Sequence, residues 1–315
     1  MRRRSAVGAA LAACTWALAA SGSAWATAAR PSVATGAAQD VSYASALLAG
    51  RVDPKGSDTS YYFQYGPTRA YGQQSAISDA GAGTHVVAVS ETIAGLQPIT
   101  RYHYRLVAVN ASGVRVGSDR TFLTSKVPLS LQIVATPNPV LFGGSALVQG
   151  TLSGTDNAGR EVVLQGQQFP FTAGFQQIGN PELTSPTGTF AFSVLGLTQV
   201  TQFRVVTATN PQIVSPVSPE GVTVQVTSHV ARTRRAHFAR IYGTVTPAEN
   251  GMQVGILRIE HGRSVPVAGT TLRPLGSGRS SFSRVLHVRR GVYFVFVQVT
   301  GGAQLSNNGE PLAIG

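Results

Sequence analysis

The side chains that could perform acid–base or metal chemistry are few and scattered in this sequence. The six histidines show no H-E-x-x-H or other ligand spacing, and they are His85, His103, His229, His237, His261 and His287. Each lies beside polar residues on a predicted strand or loop, so we expect them to face solvent. Asp156 and Glu161 form one near pair of carboxylates, but their setting is that of a loop and a strand start, not a sugar-binding cleft.

Motifs of nucleotide binding and nucleophilic catalysis are missing as well. The sequence contains no G-x-S-x-G elbow, no P-loop, no G-x-G-x-x-G and no acidic calcium loop. A triad can assemble from distant residues, so missing motifs do not exclude an enzyme on their own. We nevertheless expect a non-enzymatic protein with no catalytic residue, cofactor or metal site, because an all-β chain of this length leaves no room for a separate catalytic domain.

Positive charge is concentrated at the C-terminal end of the chain. Residues 227–315 carry eleven arginines against three glutamates, which accounts for +8 of the +9 carried by residues 27–315. Such a segment attracts polyanions, for example teichoic polymers, acidic polysaccharide or extracellular nucleic acid. The candidate polyanion contacts are Arg232, Arg234, Arg235, Arg240, Arg289 and Arg290.

A simpler explanation of the arginines is solubility, since arginine outnumbers lysine 23 to two throughout the chain. The pattern shows no aromatic residues interleaved with the arginines as a stacking platform, and no nucleic-acid motif occurs. The sequence therefore favours solubility as the explanation, and any polyanion affinity is expected to be generic, without specific nucleic-acid binding.

The elements that would position these residues are strands. Short runs rich in Val, Thr, Phe and Tyr, punctuated by Gly and Pro, predict an all-β fold. Residues 96–113 alternate with a period of two, and they begin with a Gly-Leu-x-Pro-x-Thr-x-Tyr corner that ends at Tyr102. We expect the Tyr102 hydroxyl to bond a backbone group a few residues upstream, as in a tyrosine corner.

This corner belongs to a longer similarity. With AGRVDPKG at 49–56, TSYYFQYGPTRAYG at 59–72 and GSDRTFLT at 117–124, residues 41–125 resemble the fibronectin type III-like modules of secreted proteins from high-GC Gram-positive bacteria. The resemblance implies a β-sandwich that acts as a spacer or a binding surface and brings no catalytic residues. The early strands lack a Trp, so Tyr61, Phe63 and Tyr65 are expected to fill that part of the core.

An internal repeat extends the sandwich prediction to the rest of the chain. Residues 148–152 recur at 241–245, residues 190–192 recur around Phe282, and residues 203–206 recur at 293–296. The offsets of 93, 92 and 90 residues each equal about one immunoglobulin-like domain. The repeats resemble bacterial Ig-like modules of surface proteins and predict sandwiches at 126–226 and 227–315, linked through 226–230.

The N-terminus predicts export. Three arginines, an apolar run and Ala24-Trp25-Ala26 make residues 1–26 a cleavable signal peptide, followed by a flexible lead-in at 27–40. The alternative is a lipoprotein box at 11–14 with a lipidated Cys14, although the apolar run continues past Cys14. After cleavage no cysteine and no stretch of 18 apolar residues would remain, so we expect a secreted or surface-associated protein without a transmembrane segment.

Two functional hypotheses follow. In the first, the protein is a non-enzymatic scaffold or adhesion protein that contacts an extracellular protein through loops or strand edges. In the second, it is a carbohydrate or cell-wall polyanion binding module. Its stacking residues would come from Tyr62, Tyr71, Phe169, Phe171 and Phe175. The FPFTAGF segment at 169–175 could instead be core, so burial of all three phenylalanines would exclude a sugar platform there.

Overall fold

The computed structural model describes residues 29–315. All regular secondary structure in that part of the chain is β-strand. Three pairs of facing sheets, each around its own apolar core, confirm the predicted all-β fold of tandem immunoglobulin-like and fibronectin type III-like β-sandwiches. The chain divides into two compact units after Ser125. The signal peptide and the lipidation alternative at Cys14 lie outside the described residues.

The first sandwich occupies the first unit. Its strands are β1 (Ser32–Thr35), β2 (Ser45–Asp53), β3 (Thr59–Gly66), β4 (Gln73–Gln74), β5 (Ser78–Gly81), β6 (Val87–Ala94), β7 (Arg101–Asn110), β8 (Gly113–Val116) and β9 (Arg120–Leu123). One sheet has the order β1-β2-β6. The other has the order β4-β3-β7-β8, with β5 also on β3 and β9 also on β7.

The core of this sandwich contains the predicted aromatic residues. Tyr61, Phe63 and Tyr65 are 7%, 0% and 8% exposed, which confirms that they take the place of a tryptophan. The Tyr102 hydroxyl accepts a hydrogen bond from the Gln97 amide at 3.0 Å, so the tyrosine corner is confirmed.

The predicted lead-in at 27–40 is not a linker over its whole length. Residues 32–35 form β1, which pairs with residues 50–53 of β2. The small, polar composition of this segment concealed an alternation that places Val33 and Thr35 toward the core. Thr35 also accepts a hydrogen bond from the buried Leu106 amide at 3.2 Å through its hydroxyl.

The second sandwich begins the second unit. Its strands are β10 (Ser130–Thr136), β11 (Val140–Leu141), β12 (Gly144–Ser153), β13 (Glu161–Gln168), β14 (Gln176–Gln177), β15 (Glu182–Leu183), β16 (Thr189–Leu197), β17 (Thr201–Thr207), β18 (Ser218–Glu220) and β19 (Val222–Thr223). A sheet β10-β12-β16 faces a sheet β14-β13-β17-β18 that also carries β15 on β13. The short strands β11 and β19 pair in parallel.

The third sandwich repeats this plan. Its strands are β20 (Gln225–Arg232), β21 (Phe238–Thr246), β22 (Gln253–Glu260), β23 (Arg263–Thr271), β24 (Arg273–Gly276), β25 (Arg279–His287), β26 (Gly291–Val297), β27 (Asn307–Asn308) and β28 (Leu312–Ile314). The sheet β20-β21-β25-β24 faces the sheet β23-β22-β26-β27, and β28 also pairs with β26.

Packing explains part of the internal repeat, because in both sandwiches a glycine lies opposite a phenylalanine on the neighbouring strand. Gly150 of β12 lies opposite Phe190, and Gly243 of β21 lies opposite Phe282. A Cβ at Gly150 would approach the Phe190 ring to 2.7 Å, and one at Gly243 would approach the Phe282 ring to 2.8 Å. At Gly243 it would also meet the Thr227 carbonyl oxygen at 1.9 Å, so only glycine fits these close strand pairs.

The second and third sandwiches are joined by more than the connecting chain. The predicted link at 226–230 is part of β20, and the crossing point is earlier, because Val222 belongs to the second core and Val224 to the third. The segment after β26 reaches back to the second sandwich. The Leu305 amide donates to the Val222 carbonyl at 2.7 Å, and the Val200 amide donates to the Ala303 carbonyl at 2.8 Å.

A buried carboxyl group lies next to this joint. Glu220, at the end of β18, is 0% exposed, and no side chain of residues 29–315 hydrogen-bonds to its carboxylate; burial outweighs the Val140 backbone amide, the one polar group that lowers its pKa. Burial raises the pKa of Glu220 from 4.5 to about 7, because the charged form loses its hydration. The three residues of β18 are Ser-Pro-Glu, and this short sequence did not predict that the carboxyl group would be buried.

Candidate anion-binding site

One part of the candidate site is the end of β20, where Arg232 is the last residue, together with the loop that leads to β21 and carries Arg235. The Thr233 hydroxyl donates to the Phe238 carbonyl at 2.8 Å, and the Phe238 amide donates to the Arg235 carbonyl at 3.3 Å. His237 completes the reversal with a φ of 62°, in the left-handed region. The loop is therefore fixed by its own hydrogen bonds, while both arginines stay exposed.

The other part is the turn between β25 and β26, which carries Arg289 and Arg290. Tyr293 lies beneath it, 2% exposed, and its hydroxyl accepts from the Arg289 amide at 2.9 Å and donates to the Arg289 carbonyl at 3.0 Å. Arg258 of β22 donates from Nη2 to the Arg290 carbonyl at 3.2 Å. The backbones of two adjacent exposed arginines are thus held from within the sandwich.

The loop and the turn meet at a cleft. The Val288 amide donates to the His237 carbonyl at 2.8 Å and ties them together. The cleft has a volume of about 720 Å³, and the basic side chains that line it are Arg232, Arg235, His237, His287, Arg289 and Arg290. Val230, Val288 and Ile314 contribute apolar lining.

Within the described part of the chain, the side chains that line this cleft are basic or uncharged, and Gly315, the last residue of the sequence, also lines it. No aspartate or glutamate side chain of residues 29–315 lines it, and none of its four arginines forms an ion pair there. A guanidinium group can hold a phosphate, sulfate or carboxylate through two parallel hydrogen bonds. Four such groups around one concave surface make the cleft a candidate site for an anionic ligand.

The remaining two predicted contacts lie outside the cleft lining. Arg234 is exposed in the β20–β21 loop, and Arg240 is exposed on the outer face of β21. On that face Phe238, Arg240 and Tyr242 alternate. The Arg235 guanidinium lies 4.1 Å from the Phe238 ring centroid, and the Arg240 guanidinium lies 4.5 Å from that of Tyr242.

Aromatic residues therefore do alternate with arginine on β21, although this alternation was not expected, and guanidinium groups stack on the Phe238 and Tyr242 rings. The Phe-x-Arg-x-Tyr pattern at 238–242 is visible in the sequence, and the strand period places its three side chains on one face. The roles of Tyr293 and Arg258 had no comparable signal, because both act through backbone groups that only the tertiary structure brings within reach.

The aromatic residues proposed as a sugar platform are half-buried, so burial does not exclude them, but their contacts point elsewhere. The Arg204 guanidinium lies 4.1 Å from the Phe175 ring centroid. Phe169 packs edge-on against Phe171, and its ring lies 2.9 Å from where a Cβ on Gly302 would be. Phe169 therefore contributes to the joint between the second and third sandwiches.

The two candidate stacking residues of the first sandwich are Tyr62 and Tyr71. The Arg105 guanidinium lies 4.5 Å from the Tyr71 ring centroid, and the Tyr71 hydroxyl donates to Asp119 at 3.0 Å. Tyr62 is half-buried on β3.

One histidine differs from the expected solvent-facing environment. His103 is half-buried, and its Nδ1 lies 2.9 Å from Asp119 Oδ2, while the other five histidines are exposed. Burial opposes ionisation of Asp119, but hydrogen bonds from His103 and Tyr71 outweigh it and hold the pKa below the ordinary aspartate value. Among residues 29–315, no serine, threonine or cysteine side chain hydrogen-bonds to this pair as a nucleophile would.

The carboxylates predicted to be structural occupy surface positions. Asp156 pairs with Lys126 at 2.6 Å, and Glu161 is exposed at the start of β13. No cluster of three His, Cys, Asp or Glu side chains in residues 29–315 could hold a metal ion. The same part of the chain contains no helix long and apolar enough to span a bilayer.

Comparison with protein-family models gave no match, and comparison with curated proteins gave none. Among solved structures, the sensor domain of the anti-sigma factor RsgI4 from Pseudobacteroides cellulosolvens is 22% identical over 30% of this chain and 89% of that chain, with a TM-score of 0.22. The FN1–FN3 domains of chicken CNTN1 are 12% identical over 90% of this chain and 96% of that chain, with a TM-score of 0.29. A tetra-tandem repeat from the extending region of a large adhesion protein is 13% identical over 91% and 74%, with a TM-score of 0.32. These scores are too low to support a functional inference, and the fold class rests on the strand pairing described above.

Proposed function

We propose that the protein is a non-enzymatic scaffold or adhesion protein that acts outside the cell, and that its third sandwich attaches it to an anionic polymer. The observation that carries this proposal is the convergence of Arg232, Arg235, Arg289 and Arg290 on one cleft without a carboxylate side chain in its lining. Hydrogen bonds from Thr233 and Tyr293 hold the two connections that bear these arginines. A preorganised site loses less conformational entropy on binding than four freely moving side chains would.

The solubility explanation makes a different prediction from an anion site. If the arginines only promote solubility, any two exposed arginines of the third sandwich should contribute equally to polyanion binding. Arg273 and Arg279 are exposed arginines of the same sandwich that do not line the cleft. They provide a control with the same change in net charge.

The test is binding of residues 27–315 to isolated cell walls and to a heparin resin over a range of salt concentrations. We expect binding that weakens with salt, and an Arg289→Gln/Arg290→Gln variant whose salt dependence is lower by about two released counterions. The Arg273→Gln/Arg279→Gln variant should retain the wild-type salt dependence. Equal losses in both variants would leave only non-specific charge attraction, and absence of binding by the wild type would refute the proposal.

A further inference from the structure

The cleft continues onto an open strip of positive charge along β21. Phe238 lines the cleft and also begins the outer face of β21, on which Arg240 and Tyr242 follow. Cross-strand partners of these three residues on β20 and β25 are His229, Ala231, Ser283, Val285 and His287. None of these neighbours is acidic, so the strip contains no charge that would oppose an anion.

The guanidinium groups along this strip are held in place by aromatic rings. Arg235 lies over Phe238 and Arg240 lies over Tyr242, and a stacked guanidinium keeps its N–H edges available for anions. Phe238 is further packed by His287, with ring centroids 5.4 Å apart, and Tyr242 by His229, with ring centroids 5.6 Å apart. The rings thus support the arginines.

The spacing along the strand sets a minimum length for a ligand that uses the whole strip. Arg240 leans over Tyr242, which is four residues from Phe238, and four residues of β-strand span about 13 Å. Arg240 is not among the residues that line the cleft, so a ligand confined to the cleft would not contact it. A linear polymer with repeated anionic groups would contact the cleft and Arg240 together.

The contacts favour recognition through anions over recognition through bases. Single-stranded nucleic acid binds non-specifically by stacking its bases on open aromatic faces. Here a guanidinium group already stacks on each of the two half-buried rings. We infer that the ligand of the third sandwich is a linear anionic glycan that extends from the cleft along β21, and that Arg240 is its second contact. This inference rests on the proposed function, since it requires anion binding in the cleft.

Ligand length is the variable that tests this inference. Heparin-derived oligosaccharides, a disaccharide and a dodecasaccharide, serve as probes in titration calorimetry with residues 27–315. We expect Arg289→Gln to weaken both probes, and Arg240→Gln to weaken only the dodecasaccharide, by about five- to tenfold for one charge-assisted contact. Arg279→Gln, an exposed charge away from the cleft lining, is the matched control and should change neither affinity.

The outcomes separate the two proposals. If Arg289→Gln weakens the dodecasaccharide but Arg240→Gln does not, the extended site is refuted and the cleft remains. If neither oligosaccharide binds the wild type, the proposed function fails as well. A single-stranded oligonucleotide of equal charge that binds more tightly than the dodecasaccharide, and loses that advantage in a Phe238→Ala variant, would replace the glycan with a nucleic acid.

Discussion

Replacement of Glu220 by Gln should remove a pH-dependent loss of stability from the second unit. The glutamate is fully buried at the end of β18, and no ion pair or side-chain hydrogen bond among the described residues stabilises its charged form. Gln has nearly the same shape and does not ionise. Any constant cost of burying its amide affects all pH values equally, so the comparison depends only on how the stability difference changes with pH.

The size of the effect follows from the two pKa values. Burial raises the pKa of folded Glu220 to about 7, against 4.5 in the unfolded chain. Both states are protonated below pH 4.5, so stability is greatest there with respect to this group. As pH rises toward 7 the unfolded state loses its proton first, and stability falls by about 1.4 kcal/mol per pH unit, to an upper limit of about 3 kcal/mol.

The assay is denaturant unfolding of residues 27–315 from pH 4 to pH 9, followed by far-UV circular dichroism and tyrosine fluorescence. We expect the wild type to lose stability relative to Glu220→Gln between about pH 4.5 and pH 7, and to lose no more above that range. Glu182→Gln, at an exposed position of the same sandwich, controls for a change in net charge. A stability difference that stays constant across this range, or that Glu182→Gln reproduces, would refute the assignment of a buried, unpaired carboxyl group.

Two further predictions concern the site and the joint. Tyr293→Phe removes the hydroxyl that bonds the Arg289 amide and carbonyl, so we expect a loss of about 1–2 kcal/mol in unfolding free energy and weaker heparin binding; unchanged binding would show that the hydroxyl does not position Arg289. Gly302→Ala places a Cβ 2.9 Å from the Phe169 ring at a φ of 82°, whereas a Cβ on Gly301 would have no neighbouring atom within 4 Å. Hydrogen exchange at the Val200 and Leu305 amides should therefore accelerate in Gly302→Ala and not in Gly301→Ala, and equal exchange in both would exclude a steric role for Phe169.

The sequence predicted the elements whose cause is local. Alternation and turn residues indicated the strands, and the corner motif located the hydrogen bond of Tyr102, because strand period and corner geometry depend on neighbouring residues. The repeat at 148–152 and 241–245 correctly indicated equivalent strands, although the reason, a glycine facing an aromatic ring, required the sheet register. The strand β1 was missed because its small residues resemble a linker.

The candidate site was predictable only in part. Charge counting identified Arg232, Arg235, Arg289 and Arg290, and the structure brings these four together across two connections separated by more than 50 residues. Their convergence depends on sheet topology, which no local pattern encodes. Glu220 was also missed, since its burial results from the approach of strands that lie far apart in sequence.

The joint between the second and third sandwiches determines which segment can move intact between proteins. Recombination at the repeat boundary would separate the Leu305 amide from the Val222 carbonyl and the Ala303 carbonyl from the Val200 amide. It would also remove the contact between the Phe169 ring and Gly302. The sequence repeat suggests that single sandwiches are interchangeable. We expect these contacts to be kept only when the second and third sandwiches, residues 126–315, are transferred together.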